Sequence, residues 1–100
     1  MSNERERIEQ ILHRYDEIIA SMADPAIVSD GSRYLKLTKE LSDIEPVVTR
    51  IHDKDRVTKE LAEARELHTA ADDEEMRQMA ADEVASLEQE LETINLDLED

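Results

Sequence analysis

Residues 76–98 read MRQMAADEVASLEQELETINLDL, and the apolar positions of this stretch decide the fold class. Apolar residues recur there in steps of three or four, at Met76, Ala80, Val84, Leu87, Leu91, Ile94 and Leu98. These steps place the side chains on one face of an α-helix, and from Val84 onward they follow coiled-coil spacing. Asp72 or Asp73 suits the positive end of the helix dipole. We therefore predict a helix over about residues 73–98.

A second apolar stripe of the same period lies near the N-terminus. Its members are Ile8, Ile11, Leu12, Tyr15, Ile18, Ile19 and Met22. The stripe predicts a helix over about residues 3–23, capped by Ser2 or Asn3. The helix is expected to end at Asp24-Pro25, because a residue before proline avoids the α region. Residues 24–32 contain a proline, the only glycine, two aspartates and two serines, and are predicted to form a turn.

The middle of the chain carries the longest stripe, and Pro46 falls within it. Its positions are Tyr34, Leu37, Leu41, Ile44, Val48, Ile51, Val57, Leu61, Ala64 and either Leu67 or His68. They predict a helix over about residues 31–70 that starts near Ser29 or Asp30. Pro46 lacks a backbone donor, so the helix is expected to be interrupted near residues 42–46, either by a kink or by a break. Ser42 and Glu45 fit a capping box, which would let a new helix begin there.

The three stretches together predict an all-α fold for residues 1–100 as a single helical domain. At 1.5 Å per residue their lengths are roughly 30, 60 and 40 Å. Short connections make neighbouring helices antiparallel. The expected architecture is an elongated set of antiparallel helical hairpins, or a three-helix bundle, whose long second helix is kinked or broken near Pro46.

The composition excludes several classes of protein. The 100 residues include no cysteine and one glycine, so a disulfide scaffold, a thiolate metal site and a glycine-rich phosphate loop are excluded. The formal net charge of −15 predicts no direct contact with nucleic acid or with anionic lipid. No apolar run approaches the roughly 20 residues of a membrane span, and the N-terminus lacks a secretory signal. We expect a cytoplasmic protein.

The negative charge is concentrated in the last predicted helix. Residues 72–100 contain 12 acidic residues and one basic residue, Arg77, which accounts for −11 of the −15. One interpretation is that this helix faces a basic partner, whose approach the field would steer. The other is a solvated face that keeps a slender domain soluble, which is the more common use of such acids.

The residues offer little for chemistry. His13, Asp16 and Glu17 could share a helix face as metal ligands, but the same spacing is typical of a surface salt bridge. We predict no catalytic, cofactor-binding or metal-binding residues and no enzymatic activity. Met76 and Met79 could form a binding face, although core or cap packing is the more common use. Leu96 and Leu98 have little to pack on at the end of the sequence, and we expect further residues to follow Asp100 in the native protein.

Five segments resemble the start of bacterial peptide chain release factor 1, a class I translation release factor family. In order they are Tyr15-Asp16-Glu17, ADPAIVSD at 23–30, RYLKLTKE at 33–40, LSDIEPVV at 41–48 and EMRQMA at 75–80. Each is short, but their order and spacing together are specific. The family's Gly-Gly-Gln tripeptide and its Pro-x-Thr loop, which reads the stop codon, have no counterpart here. The resemblance therefore implies the N-terminal helical domain of such a factor, without its catalytic and codon-reading domains.

The resemblance also implies a function and partners. The full protein would direct translation termination at stop codons on the ribosome, and this domain would be a docking or regulatory arm near the base of the ribosomal stalk. A GTPase release factor and a glutamine methyltransferase would be further partners. The alternative is a free-standing acidic coiled-coil adaptor protein that pairs with a basic or helical partner. The surface that would contact the ribosome, and the oligomeric state, do not follow from the sequence.

Overall fold

The computed structural model describes residues 3–99. In that range the chain forms four helices, α1 (Asn3–Met22), α2 (Pro25–Val28), α3 (Gly31–Ala70) and α4 (Glu74–Leu98). The described residues contain no strand, so the predicted all-α class is confirmed. Within the single domain predicted for residues 1–100, the chain divides into two compact units, Met1–Thr49 and Arg50–Asp100. The first half of α3 belongs to the first unit and its second half to the second.

A short helix occupies four of the nine residues of the segment that was predicted to be a turn. α2 covers Pro25–Val28, and the Asp24 side chain caps it by accepting a hydrogen bond from the Ala26 N–H at 2.9 Å. Pro25 suits the first helical position, because its fixed φ is already helical and its missing N–H would have no partner there. At the other end the Ser29 hydroxyl donates to the Pro25 carbonyl at 3.0 Å. The turn prediction for residues 24–32 is therefore wrong over these four residues and over Gly31 and Ser32, with which α3 begins.

Aspartate caps mark the N-terminal ends of α3 and α4. Asp30 starts α3: its Oδ1 accepts from the Arg33 N–H at 3.2 Å, and its carbonyl accepts from the Tyr34 N–H at 2.9 Å. Asp73 starts α4 by accepting from the Met76 N–H at 2.8 Å. Both aspartates were among the predicted starts. At α1, Asn3 is itself helical, and Ser2 lies outside the described residues.

α3 runs through Pro46 without a break. The alternative in which a new helix begins after a capping box at Ser42 is therefore wrong. Proline removes the hydrogen bond to the Ser42 carbonyl, but both residues are exposed, so water can solvate that carbonyl. The apolar stripe keeps its helical period on both sides of Pro46, which favours one continuous helix. The kink remains a prediction.

The first unit has a small core. Its buried apolar side chains are Ile18 on α1, Ile27 on α2 and Val48 on α3, and of these Ile18 is completely inaccessible to water. Most of the remaining stripe positions are half-buried: Ile8, Ile11, Leu12, Tyr15, Met22, Tyr34, Leu37, Leu41 and Ile44. Ile19 is exposed. The stripe thus predicted the inward face of α1 and α3, but few of its members are completely removed from water.

The second unit is an antiparallel hairpin of α3 and α4. Three arginines of α3 pair with acids of α4 in opposite sequence order, as Arg50–Asp97, Arg56–Glu90 and Arg65–Glu88, at 2.5, 3.1 and 2.8 Å. The buried side chains are Ile51, Val57, Leu61, Ala64, Ala80, Leu87, Ile94 and Leu98. Four of them lie on each helix, and together they define the apolar seam of the hairpin. Between residues 3 and 99, no helix is both long enough and apolar enough to span a bilayer.

Candidate docking surface

The side chains that could support chemistry are exposed and dispersed. His13 Nε2 lies 3.7 Å from Glu17 Oε2, and these side chains are 77% and 50% exposed. Asp16, His52 and His68 are exposed as well. Within residues 3–99, no three His, Cys, Asp or Glu side chains come close enough to hold a metal ion together. The His13 pair is thus a surface contact of the i, i+4 kind.

An ion pair between Arg14 and Glu40 joins α1 to α3 in the first unit. Arg14 donates from Nε and Nη2 to the two carboxylate oxygens of Glu40, both at 2.5 Å. The hydrogen bond from Arg14 holds the pKa of the Glu40 carboxyl below its ordinary value, and the bond to Glu40 raises the pKa of Arg14. Such bidentate pairs fix side-chain geometry better than a single hydrogen bond does. Arg14 therefore links α1 to this half of α3 through a bidentate contact.

Arginines of α3 neutralise part of the acidic helix α4. The hydrogen bond to Asp97 raises the pKa of Arg50, and the bond to Glu90, followed by the bond to Glu60, raises the pKa of Arg56. These arginines therefore stay charged and hydrogen-bonded to acids of α4. Other acids of α4 have no partner among the described residues, namely Glu75, Glu83 and Glu92. The unpaired acids face solvent and supply the charge that a basic partner would meet.

Met76 and Met79 do not pack in the core. They are 53% and 67% exposed, so the core or cap packing predicted as their more common use is wrong. Leu67, across the hairpin on α3, is 62% exposed. Three large apolar side chains thus reach solvent at the closed end of the second unit, next to the turn that links α3 to α4.

A concavity of about 300 Å³ lies between these three side chains. Besides Leu67, Met76 and Met79, its lining consists of Ala64, Ala71, Ala80 and Glu83. Ala64 and Ala80 are the buried residues of this layer, where other layers of the seam use Leu, Ile or Val. Their short side chains do not fill the space between the helices, which leaves the concavity. The spacing of apolar residues alone does not predict this concavity. The sequence signal that could have predicted it is the occurrence of alanines at core positions close to two methionines.

The two leucines near the end of α4 differ. Leu96 is 58% exposed, as predicted, but Leu98 is 4% exposed and belongs to the core. The ion pair between Asp97 and Arg50 shows that the end of α4 lies beside α3 at this level of the hairpin. The expectation that Leu98 lacks a packing surface is therefore wrong, because α3 supplies one within the second unit.

Comparison with protein families gives a single clear result. Residues 11–100 match the family described as the PCRF domain. This range covers α2, α3, α4 and most of α1, and so includes both the Arg14–Glu40 pair and the apolar end of the second hairpin. No solved structure matches the chain.

Curated relatives of the chain are called peptide chain release factor 1. The protein from Acidobacterium capsulatum is 42% identical over 93 residues, which are 93% of this chain and 26% of the relative. The protein from Magnetococcus marinus is 43% identical over 88 residues, 87% of this chain and 24% of the relative. That from Xylella fastidiosa is 33% identical over 95% of this chain and 26% of its own length. The chain thus spans about a quarter of the length of these relatives.

Proposed function

Because the chain belongs to the PCRF domain family, we propose that it is the helical docking domain of a class I release factor, which terminates translation at stop codons. The family match over residues 11–100, together with relatives called peptide chain release factor 1, supports this proposal. It also confirms the resemblance found in the five sequence segments. In this proposal the domain itself neither hydrolyses peptidyl-tRNA nor reads a codon.

The acidic helix α4 defines the docking role in this proposal. The domain acts as an arm that reaches the base of the ribosomal stalk in the cytoplasm, where its unpaired acids meet basic protein surface. Glu75, Glu83 and Glu92 are exposed and free to do so. The field of residues 72–100 would speed the encounter, since opposite potentials steer association. A GTPase release factor and a glutamine methyltransferase are further proposed partners.

The packing of α4 weighs against a free-standing coiled-coil adaptor. That alternative needs the stripe of α4 to be open to a partner helix. Leu87, Ile94 and Leu98 are instead buried in the second unit, where Ile51, Val57 and Leu61 of α3 also lie. The apolar face of α4 that the heptad spacing defines is therefore already buried within the chain.

A domain exchange tests the docking role. The matching segment of the Magnetococcus marinus relative would be replaced by residues 1–100, and the affinity of this chimera for ribosomes stalled at a stop codon would be measured. We expect the affinity to remain within about threefold of the parent factor, a difference below 1 kcal/mol. A factor that lacks the segment should bind more weakly. A chimera that binds no better than the truncated factor would contradict the proposal.

A further inference from the structure

The closed end of the second hairpin carries an apolar patch that none of the described residues covers. We define this tip patch as Leu67, Met76 and Met79 together with the alanines and Glu83 that line the concavity between them. More than half of each of the three large side chains is accessible to water. Contiguous exposed apolar surface of this kind is typical of interaction sites rather than of a solvated face.

The tip patch lies in strongly acidic surroundings. Residues 64–83 contain seven acidic residues and two arginines. Both arginines are engaged, Arg65 with Glu88 at 2.8 Å and Arg77 with Glu74 at 3.1 Å. Arg77 also donates to the Ala71 carbonyl at 3.1 Å, which holds it at the turn. The cations are therefore occupied locally, whereas Glu83 borders the concavity without a partner among the described residues.

Apolar anchors next to unpaired acids define the chemistry of the partner. We propose that the tip patch docks a basic amphipathic helix of a partner protein, whose aliphatic side chains enter the concavity and whose Lys or Arg residues meet Glu83 and its acidic neighbours. The unbranched side chains of Met76 and Met79 can adapt their shape to such anchors. This inference deepens the proposed function, because it names the surface and the partner chemistry of the docking arm.

The charge distribution disfavours two other occupants. A second copy of this chain would bring residues 72–100, with 12 acids and one base, against the same charges. Phosphate groups of a nucleic acid would meet the same repulsion. A basic helix gains from the field that these partners would oppose, so charge complementarity selects it.

Peptide binding to the 100-residue chain tests this inference. The probe is a synthetic amphipathic peptide of about 18 residues with leucine on one helical face and lysine on the other. Its twin carries glutamate in place of lysine. We expect saturable binding of the leucine–lysine peptide that weakens as salt is added, together with perturbed methyl resonances of Leu67, Met76 and Met79. The leucine–glutamate twin should not bind.

Matched variants locate the binding surface. Met79→Ser and, on the opposite helix, Leu67→Ser should each weaken binding at least about fivefold, since anchors in a pocket carry most of the affinity. Leu35→Ser and Leu96→Ser remove leucines of similar exposure elsewhere and should leave the affinity unchanged. Glu83→Gln should reduce the salt dependence, whereas Glu92→Gln should not. Circular dichroism checks that each variant remains helical.

Several results would overturn the inference. These are equal binding of the glutamate twin, no saturable binding, or a loss of affinity in Leu35→Ser or Leu96→Ser as large as in Met79→Ser. Self-association of the chain that Met79→Ser abolishes would instead assign the tip patch to a second copy. The ribosome affinity of the chimera is measured separately, so a failure here leaves that test of the proposed function intact.

Discussion

Arg14 of α1 and Glu40 of α3 lie 26 positions apart and share two hydrogen bonds, each 2.5 Å long. The geometry pairs both carboxylate oxygens with two guanidinium nitrogens, an arrangement more specific than a point contact between charges. Among the described residues of the first unit three apolar side chains are buried, and the Arg14–Glu40 pair adds a polar contact between α1 and α3 to this small core.

The Arg14–Glu40 pair predicts a pH dependence. The pKa of the Glu40 carboxyl lies below its ordinary value of 4.5 in the folded chain, so the contribution to stability is present above that value and disappears as pH falls through the folded-state pKa. Arg14→Met should therefore lower the thermal unfolding midpoint more at pH 7 than at pH 2. In the same variant, an NMR titration should show the Glu40 pKa returning toward 4.5.

Arg33→Met is the control for this measurement. Arg33, Arg14 and Glu40 line a second concavity, in the first unit, but Arg33 forms no side-chain hydrogen bond with Glu40. Removing this cation should leave the Glu40 pKa nearly unchanged. An equal shift in both variants would show that the general field of positive charge, rather than the hydrogen bonds, sets the pKa.

Pro46 gives a stability test of the continuous helix. In a helix interior proline is about 3 kcal/mol less favourable than alanine, because it lacks the donor and crowds the preceding turn. Pro46→Ala should raise the free energy of unfolding by about 1–3 kcal/mol. Hydrogen exchange should show protection of the new amide at position 46. A neutral or destabilising effect would contradict the structure, since it would indicate a helix start at which proline is favourable.

Two leucines of α4 test the seam of the second unit. Leu87 is 4% exposed and Leu96 is 58% exposed. Leu87→Ala should lower the free energy of unfolding by about 2–4 kcal/mol, through lost transfer energy and the cavity that remains. Leu96→Ala should change it by less than about 0.5 kcal/mol. Denaturant titration of both variants checks the assignment, and similar losses in the two would mean that the seam is wrongly placed.

The cap of α4 offers a smaller, local test. Asp73 accepts a hydrogen bond from the Met76 N–H at 2.8 Å. Asp73→Ala should lower the free energy of unfolding by about 1 kcal/mol, as the loss of an N-terminal cap generally does. Asp72→Ala removes the same charge next to it without removing the cap, so it serves as the control. If guanidinium denaturation shows that both variants lower the free energy of unfolding equally, then the negative charge rather than the hydrogen bond stabilises the start of α4.

Much of the fold could be predicted from the sequence, because the spacing of apolar residues and the capping residues indicate where helices form. The steps of three and four identified the stripes of α1, α3 and α4, and Asp30 and Asp73 were recognised as possible starts. Such signals are local, and they act before any tertiary contact forms. The five sequence segments likewise led to the family that comparison then found.

The rest depended on contacts that a one-dimensional pattern does not encode. Periodicity gives the face on which Met76 and Leu98 lie, but not whether a partner helix reaches that level. Leu98 is buried because α3 passes beside it, whereas Met76 is exposed because alanines occupy the neighbouring layer. Pro46 is tolerated in the helix because it faces solvent, a condition that depends on packing. The tip patch was missed for the same reason.

The proposed role is docking: this chain would hold a termination factor to the ribosome without taking part in peptide release or codon reading. The most direct measurement is the rate of peptide release by the chimera with the Magnetococcus marinus relative, taken over a range of factor concentrations at each stop codon. The account predicts that kcat and the choice of stop codon match those of the parent, with any change confined to KM. A chimera with parental KM but lowered kcat or altered codon choice would contradict it.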